Sequence, residues 1–388
     1  MKIGIITLWQ SNDNYGQQLQ CWALQQALLK LGHEPYLIRY DIDGRFNNKK
    51  KPFWKKILKS VLLYPLLKKL MRIKKDKVEK GLISYNATRN KERRFDEFRN
   101  RNIIHSNTLY KSLKELQDNP PQADAYIVGS DQVWAHLLSN YENRTMFLDF
   151  GDARVKRIAY APSFSMQDYP YHLKDSLKEN LSRFDYLSVR EKTGLRICER
   201  LGFSAKVVLD PTMLLDSKDY NKISTNDENG TYIFLYYLNI QNAEEVNWNE
   251  LKSFAKKYNF KIVATTASGY VQGREIFDGV EYKYATVKQW INLINNARLV
   301  VTTSFHGVVF SILHHTPFVY FPIMGKFSRG NNRVSDLCSM LGLSERIWNE
   351  NTNYETIASK NIDWNLIDSI LGQERNKSLN YLQSSLKL

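Results

Sequence analysis

Residues able to do chemistry gather in four short polar clusters, each directly after an apolar run. The clusters are residues 12–16, 129–132, 188–191 and 302–307. In open parallel sheets, ligands bind where the carboxyl ends of strands lead into helix N-termini. Such helix ends present unpaired N–H groups and a partial positive charge, which suit a phosphate. The clusters therefore predict a ligand site at the strand ends.

The residue types in these clusters suit a small anionic ligand. Gly16, Gly129 and Gly307 would let the backbone approach a ligand closely. Arg190 offers a planar, permanently charged fork for a carboxylate or phosphate. His306 can exchange a proton near neutral pH. Together they indicate a cleft that binds an anion and moves protons.

Each of these residues also has an ordinary structural interpretation. Asp131 is compatible with a helix N-cap, and Arg190 with an internal ion pair to Glu191 or Asp185. A single histidine after a strand, such as His306, is more often structural than catalytic. The sequence contains no Walker A loop, GxGxxG fingerprint or zinc-ligand spacing. We therefore expect neither a metal nor a cofactor.

Strand-like and helix-like runs alternate along the chain and place the clusters at strand ends. In the first half, strands are predicted over residues 2–8, 35–40, 125–128, 157–161, 186–189 and 206–209, with a helix over 17–32. In the second half, strands are predicted over 232–237, 261–265, 299–302 and 317–321, with helices over 243–258, 287–296 and 308–314. This alternation is typical of doubly wound parallel sheets.

Two successive runs of alternating elements predict two domains, because 388 residues exceed the usual size of a single core. The expected fold class is α/β, with two Rossmann-like domains facing each other across a cleft. Asp210 precedes Pro211, and a residue before proline leaves the helical region. We place the N-terminal domain at residues 1–210 and the C-terminal domain, with a terminal helical tail, at 211–388.

The net charge of +15 is confined to one segment of the first domain. Residues 45–101 hold 20 Lys and Arg against 5 Asp and Glu, and the rest of the chain is neutral. Within this basic insertion, residues 53–75 predict an amphipathic helix that suits either an anionic membrane surface or docking on its own domain. No helix-turn-helix, zinc-finger or RNA-recognition pattern occurs, so nucleic acid is not an expected partner.

Cysteine use and the first residues indicate a cytoplasmic protein. Cys21, Cys198 and Cys338 are dispersed, which favours reduced thiols over a disulfide framework. Met1 and Lys2 lead straight into a predicted strand, which leaves no room for a signal peptide. No apolar stretch approaches the length of a transmembrane helix. We expect cytoplasmic location, with peripheral contact at the inner face of the membrane if residues 53–75 bind lipid.

Several blocks of the sequence resemble the motifs of polysaccharide pyruvyl transferases. The blocks are 14–16 with 19–25, 128–134, 188–192, 208–212, 303–307 and 332–333. They occur in the expected order, and the Gly-Ser-Asp-Gln-Val-Trp and Ser-Phe-His-Gly blocks are specific. The resemblance therefore covers most of the chain.

The resemblance implies a GT-B-like fold and transfer of a pyruvyl group from phosphoenolpyruvate to a saccharide, with formation of a ketal and release of phosphate. It implies proton transfer by His306, with Asp131 and Glu191 as further candidates. The residues expected to bind substrate are Asn14, Tyr15, Gly16, Gly129, Ser130, Arg190, Ser304, Gly307 and Arg333. Several family members have Arg-Leu-His-Gly where this chain has Ser304-Phe305-His306-Gly307, so either Arg190 or Arg333 supplies the missing cation or the donor is held differently.

Two other functions fit the same two-domain plan. One is a GT-B glycosyltransferase with a nucleotide-sugar donor, and the other is a binding protein that has kept the cleft without the reaction. For the transferase, the expected acceptor is a saccharide of a bacterial capsule or exopolysaccharide. A lipid-diphosphate-linked acceptor would account for a membrane-seeking helix at residues 53–75.

Overall fold

The computed structural model describes residues 1–41, 89–135, 141–225, 231–267 and 275–387. The basic amphipathic helix predicted over residues 53–75 lies outside the described residues, so its structure and its membrane contact stay predictions. Of the basic insertion at residues 45–101, only residues 89–101 are described.

Seven parallel strands form the first sheet, in the order β3-β2-β1-β4-β5-β6-β7. They are β1 (Lys2–Ile6), β2 (Glu34–Tyr40), β3 (His105–Tyr110), β4 (Ala125–Val128), β5 (Lys156–Ala159), β6 (Tyr186–Val189) and β7 (Lys206–Val207). The accompanying helices are α1 (Tyr15–Lys30), α2 (Phe95–Asn102), α3 (Leu113–Asp118), α4 (Lys174–Leu181), α5 (Lys192–Arg200) and α6 (Ser217–Asn221).

Five parallel strands form the second sheet, in the order β10-β9-β8-β11-β12. They are β8 (Tyr232–Tyr237), β9 (Lys261–Thr266), β10 (Glu281–Tyr282), β11 (Leu299–Thr302) and β12 (Phe318–Tyr320). The helices are α7 (Trp248–Lys257), α8 (Val287–Asn295), α9 (Phe305–Leu313), α10 (Asn332–Met340), α11 (Tyr354–Ser359) and α12 (Trp364–Leu386). The two strand orders confirm the predicted fold class of two Rossmann-like α/β units.

The strand order of each sheet reverses beside its first strand, between β1 and β4 and between β8 and β11. Such switch points open a crevice at the carboxyl ends of the strands. Residues 12–16 and 129–132 follow β1 and β4, and residues 302–307 lie at the end of β11. Three of the four polar clusters are therefore at the two switch points.

The central strands are buried on both faces, as expected for parallel sheets covered by helices. Every residue of β4, β8 and β11 is buried. One hydrophobic cluster continues from the first unit into the second, because Tyr15 of α1 packs with Tyr236 of β8 and Trp290 of α8. The two sheets thus share part of one core.

Two helix predictions were wrong in their boundaries. The helix predicted over 308–314 begins at Phe305, because the Ser304 side chain accepts a hydrogen bond from the Gly307 N–H and caps it. The helix predicted over 243–258 is interrupted at Asn247, whose φ of 49° lies in the left-handed region. The first correction places His306 in the first helical turn rather than in a loop.

The last helix, α12, returns to the first sheet. The Tyr381 hydroxyl donates to the Ala159 carbonyl oxygen at 3.1 Å, and Leu382 is fully buried beside Ile3 and Ile5. The domain boundary at Asp210 stays a prediction. Helix α12 comes after that boundary in the sequence, yet it contacts β1 and β5 of the first sheet.

In the described part of the chain, no helix is both long enough and apolar enough to cross a membrane.

Candidate functional site

Asp210, just after β7, is the central carboxylate of the site. Its Oδ2 accepts hydrogen bonds from Arg190 at 2.7 Å and from the Ser130 hydroxyl at 3.0 Å. Its Oδ1 accepts one from the Thr212 hydroxyl at 2.7 Å. Burial opposes the charge, yet the neighbouring His306, Arg190 and Thr212 outweigh that cost and hold the pKa of Asp210 far below its ordinary value. Asp210 is therefore a fixed anion.

Arg190 follows β6 and is surrounded by carboxylates. Its guanidinium donates to Asp210 and, at 3.0 Å, to Asp131. Glu191 is 3.8 Å from Arg190 Nε, which is too long for a hydrogen bond. The alternative pairing with Asp185 is wrong, because that carboxylate accepts from the backbone N–H of Arg157 instead. Two carboxylates already neutralise Arg190.

The turn at residues 129–131 is buried and is packed too closely at Gly129 for a side chain there. Gly129 has φ 111°, and a Cβ there would lie 2.2 Å from the Tyr160 carbonyl oxygen. The peptide between Gly129 and Ser130 is cis. The Ser130 N–H donates to Gln20 Oε1 at 3.0 Å. Asp131, with φ 72°, is bonded to Arg190 and does not cap a helix, so the N-cap interpretation is wrong.

His306 crosses from the second unit to the first. Its ring rests on the first turn of α1, since a Cβ added to Gly16 would lie 2.0 Å from His306 Nδ1. The other ring nitrogen, Nε2, is 3.8 Å from Asp210 Oδ1. That distance allows a charge contact but exceeds a hydrogen bond. The side chain is 8% exposed. The absence of a side chain at Gly16 is thus what makes room for the imidazole.

Glu191 and Arg333 lie beside this group. Glu191 Oε1 accepts from the Ser163 hydroxyl at 2.8 Å and from the Phe164 N–H at 3.2 Å. Burial raises the pKa of Glu191, although Arg190 and Arg333 act against the rise. Burial, followed by the charge of Arg190, lowers the pKa of Arg333 to about 10. Arg333 therefore stays protonated at neutral pH.

The aromatic ring of Phe305 contacts the guanidinium groups of both Arg190 and Arg333. The guanidinium carbons of Arg190 and Arg333 lie 5.2 Å and 5.6 Å from the centre of its ring. Arg333 makes one hydrogen bond among the described residues, from Nε to the Gly330 carbonyl oxygen at 3.2 Å. Its terminal nitrogens are therefore available to a ligand, unlike those of Arg190. The aromatic ring stabilises both cations.

Four residues predicted to bind substrate are engaged in structural contacts. Asn14 caps α1 by accepting from the Gln17 N–H, and Ser304 caps α9. A Cβ on Gly307 would lie 2.3 Å from Thr302 Oγ1, so this glycine allows close packing of α9 on β11. Tyr15 is fully buried and contacts the second sheet. Direct substrate contact by these four stays a prediction.

Three buried polar atoms of the site have no hydrogen-bond partner among the described residues. They are Arg190 Nε, Glu191 Oε2 and His306 Nε2. Buried polar atoms without partners are rare and costly in folded proteins. A polar ligand bound here would provide those partners.

Sequence reasoning missed three residues of the site. Asp210 was noted as part of a boundary, although its place after a strand-like run was a usable signal. Phe305 lies in the predicted cluster 302–307 and Gln20 in the motif block 19–25, but an aromatic residue and a glutamine gave no indication of their own role in the site. Within the described ranges, no group of three or more His, Cys, Asp or Glu residues is placed to hold a metal ion. The expectation of no metal stays a prediction.

Replacing Glu191 by glutamine tests the cost of its buried charge. Because the folded pKa is raised above the ordinary 4.5, the stability this residue contributes is present below 4.5 and is lost as pH rises through the raised pKa. We expect Glu191→Gln to raise the melting temperature by about 2–4 °C near pH 8 and to change it little near pH 4.

Glu199→Gln, an exposed change on the same helix, is the control and should leave both melting temperatures unchanged. Scanning fluorimetry at the two pH values measures the effect. A lower melting temperature of Glu191→Gln near pH 8 would show that the charge stabilises the fold.

The fold and the site together define a two-unit α/β protein with a buried group of charged residues between its sheets. The chain belongs to the polysaccharide pyruvyl transferase family, whose family model matches residues 14–323. No curated protein matches the sequence.

Solved structures of similar architecture include two epimerases and a plant protein complexed with UDP. The UDP-GlcNAc 2-epimerase of Methanocaldococcus jannaschii, in complex with UDP-GlcNAc and UDP, is 12% identical with a TM-score of 0.48, covering 99% of each chain. The Rickettsia bellii UDP-N-acetylglucosamine 2-epimerase is 12% identical with a TM-score of 0.47, covering 99% of this chain and 96% of its own. Arabidopsis thaliana UGT89C1 complexed with UDP is 10% identical with a TM-score of 0.46, covering 100% of both. These likenesses concern the fold alone.

Proposed function

We propose that this protein transfers the pyruvyl group of phosphoenolpyruvate to two hydroxyls of a saccharide. The observation that carries the proposal is the buried group at the junction of the sheets, where a free cation on Arg333 lies beside Glu191 and near Arg190. His306 completes it next to Asp210. Membership of the pyruvyl transferase family supports the same reaction.

The reaction requires proton transfer and the departure of phosphate. A proton adds to the methylene carbon of phosphoenolpyruvate, which leaves a cationic centre on the adjacent carbon. One sugar hydroxyl adds there and loses its proton, and the C–O bond to phosphate breaks. The second hydroxyl then closes the ketal and loses its proton. The two hydroxyl protons balance the one gained by the methyl group and the one carried by the phosphate.

The charge partners of Arg190 and Arg333 indicate which of the two arginines binds the donor. Asp131 and Asp210 neutralise Arg190, so Arg190 orders the site and offers only Nε to a ligand. Arg333 retains free N–H groups that suit the carboxylate or phosphate of the donor. Arg333 therefore takes the place of the arginine that other family members carry where this chain has Ser304.

Two groups are suited to proton transfer. His306 has a buried Nε2 without a hydrogen-bond partner among the described residues, and it faces the fixed negative charge of Asp210. Glu191 has a raised pKa and an unpartnered Oε2, so it can hold a proton closer to neutral pH than an ordinary glutamate. We assign acid–base catalysis to His306, with Glu191 as the second proton carrier. Asp131 stays bonded to Arg190.

The direct test is incubation of the purified protein with phosphoenolpyruvate and a panel of free and lipid-diphosphate-linked saccharides. Mass spectrometry should find the acceptor heavier by one pyruvyl ketal, and inorganic phosphate should appear in equal amount. A parallel panel of nucleotide-sugars should give no product. Transfer of a sugar residue, or binding without turnover of either donor, would overturn the proposal.

Arg333→Met should weaken binding of phosphoenolpyruvate by about 10- to 100-fold, because a charge-assisted hydrogen bond contributes about 1.5–3 kcal/mol. The methionine keeps an unbranched apolar stem against Phe305 and removes the charge together with the N–H donors of the guanidinium. Titration calorimetry with phosphoenolpyruvate measures the change.

The exposed neighbour Arg329 provides the matched control. Arg329→Met removes the same charge four positions away and should leave the affinity unchanged. Equal weakening in both variants would mean that the effect is long-range electrostatics rather than a contact with the donor.

A further inference from the structure

Arg93 belongs to the basic segment, yet its side chain is inside the molecule and 1% exposed. Its nitrogens donate to Asn90 Oδ1 at 3.1 Å, to the Tyr15 hydroxyl at 2.6 Å and to the Thr266 carbonyl oxygen at 2.5 Å. The guanidinium carbon lies 5.0 Å from the centre of the Tyr284 ring. Among the described residues no carboxylate forms an ion pair with Arg93. A charge buried among neutral acceptors is costly, so packing alone is a poor explanation for it.

The partners of Arg93 belong to both units. Tyr15 begins α1 beneath the first sheet, and Thr266 ends β9 of the second. Tyr15 is itself held by the second unit, because its hydroxyl donates to the Ala285 carbonyl oxygen at 2.6 Å. Its ring also stacks on Trp290, with centroids 5.1 Å apart and planes at 7°. Arg93 therefore links Tyr15 of α1 to Thr266 of the second sheet, in addition to the direct hydrogen bond from Tyr15 to Ala285.

The residue after Tyr15 is Gly16, on which the His306 ring rests. Because Gly16 has no side chain, the His306 imidazole packs directly against the backbone of α1. The position of the imidazole therefore depends on the position of that backbone. That backbone is fixed at its first residue by the hydroxyl of Tyr15. A shift of Tyr15 would therefore move the surface that supports His306 relative to Asp210.

A second arginine of the same segment holds the preceding loop. Arg99 donates to the Ser11 carbonyl oxygen at 2.7 Å and to Asn12 Oδ1 at 2.8 Å, and it is 7% exposed. Arg93 and Arg99 thus fix the two ends of the loop that leads into α1. Arg93 and Arg99 lie in a strongly basic segment of the sequence, but both are buried and hold the residues that lead into the site.

We propose that Arg93 is a positioning residue that sets His306 against Asp210 through Tyr15 and Gly16. Arg93 does not touch the reacting groups. Its effect on turnover rests on the proposed function, but its effect on the position of His306 does not. The test therefore measures the imidazole directly.

The experiment compares Arg93→Met with Arg346→Met. Arg346 is an equally buried arginine, 0% exposed, that donates to the carbonyl oxygens of Ile357 and Lys360 in the second unit. Both variants remove a buried guanidinium and should lower the melting temperature. Proton–carbon spectra of the protein labelled at its 7 histidines then report on each imidazole, with His306 assigned from a His306→Gln variant.

In Arg93→Met the His306 resonance should shift, while Arg346→Met should leave it unchanged. The turnover number should fall by about 10- to 100-fold in Arg93→Met only, with the affinity for phosphoenolpyruvate within about threefold of the parent. If Arg93→Met fails to fold, Tyr15→Phe, which removes only the hydroxyl, should shift the same resonance. An unmoved His306 resonance in a folded variant would overturn the inference, whether or not pyruvyl transfer is observed.

Discussion

Replacing His306 by glutamine is expected to lower the turnover number by about 10²–10⁴-fold, the usual contribution of a general acid or base. Glutamine keeps polarity and approximate length but cannot exchange a proton near neutral pH. The buried place of the imidazole against Gly16, with Nε2 facing Asp210, is the reason for expecting so large an effect. Release of phosphate from phosphoenolpyruvate measures it.

His315→Gln is the matched control for that change. His315 lies near the other end of the same helix, where it pairs with Asp368 on the protein surface. Its replacement should leave turnover unchanged. If His306→Gln kept full turnover per folded molecule and lost only thermal stability, His306 would be a structural residue and the acid–base assignment would be wrong.

Replacing Gly16 by alanine should lower turnover by about 10²-fold, even though the change adds only one methyl group. The new Cβ would lie 2.0 Å from His306 Nδ1, so the ring or the helix must move. A displacement of about 1 Å in a catalytic group can cost that much in rate. The turnover number and the His306 resonance should change together.

Gly372→Ala provides the control for the alanine substitution itself. Gly372 lies inside α12, and a Cβ there would meet nothing within 4 Å. Because glycine in a helix interior costs about 0.5–1 kcal/mol relative to alanine, this variant should be slightly more stable and fully active. Full activity of Gly16→Ala would show that the site tolerates displacement of His306, contrary to its proposed role.

Strands with continuous apolar runs were predictable from the sequence. The bounds of β4, β6, β8 and β11 agree with the predicted 125–128, 186–189, 232–237 and 299–302. These strands are largely buried, so burial alone selects their residues. By contrast, β3 was not predicted, because its sequence His-Ser-Asn-Thr-Leu-Tyr is mostly polar at the edge of the sheet.

The site was predictable in its parts but not in its pairings. His306, Arg190, Asp131 and Glu191 do come together, as residues after strand ends should. Which carboxylates neutralise Arg190 depends on turns such as 129–131, where φ angles of 111° and 72° set the direction of side chains. Propensity patterns carry no such information, so the position of Asp210 after a predicted strand could suggest a site residue but not its pairing with Arg190.

Arg93 shows the same limit in a different form. In the sequence it is one cation among 20 Lys and Arg in residues 45–101, and composition does not distinguish it from the others. Its burial follows from long-range contacts with Tyr15 and Thr266, 78 and 173 positions away. Local pattern cannot distinguish such a residue from its exposed neighbours.

The return of α12 to the first sheet has a consequence for the order of synthesis. Tyr381 and Leu382 complete the core around β1 and β5, and the backbone N–H of Leu209 donates to Ser378. During translation, the N-terminal sheet therefore emerges first but stays partly uncovered until α12 has left the ribosome. Domains generally fold in order of emergence, and exposed apolar surface at that stage favours aggregation. The interval between the emergence of the first sheet and that of α12 is thus the stage at which aggregation is most favoured.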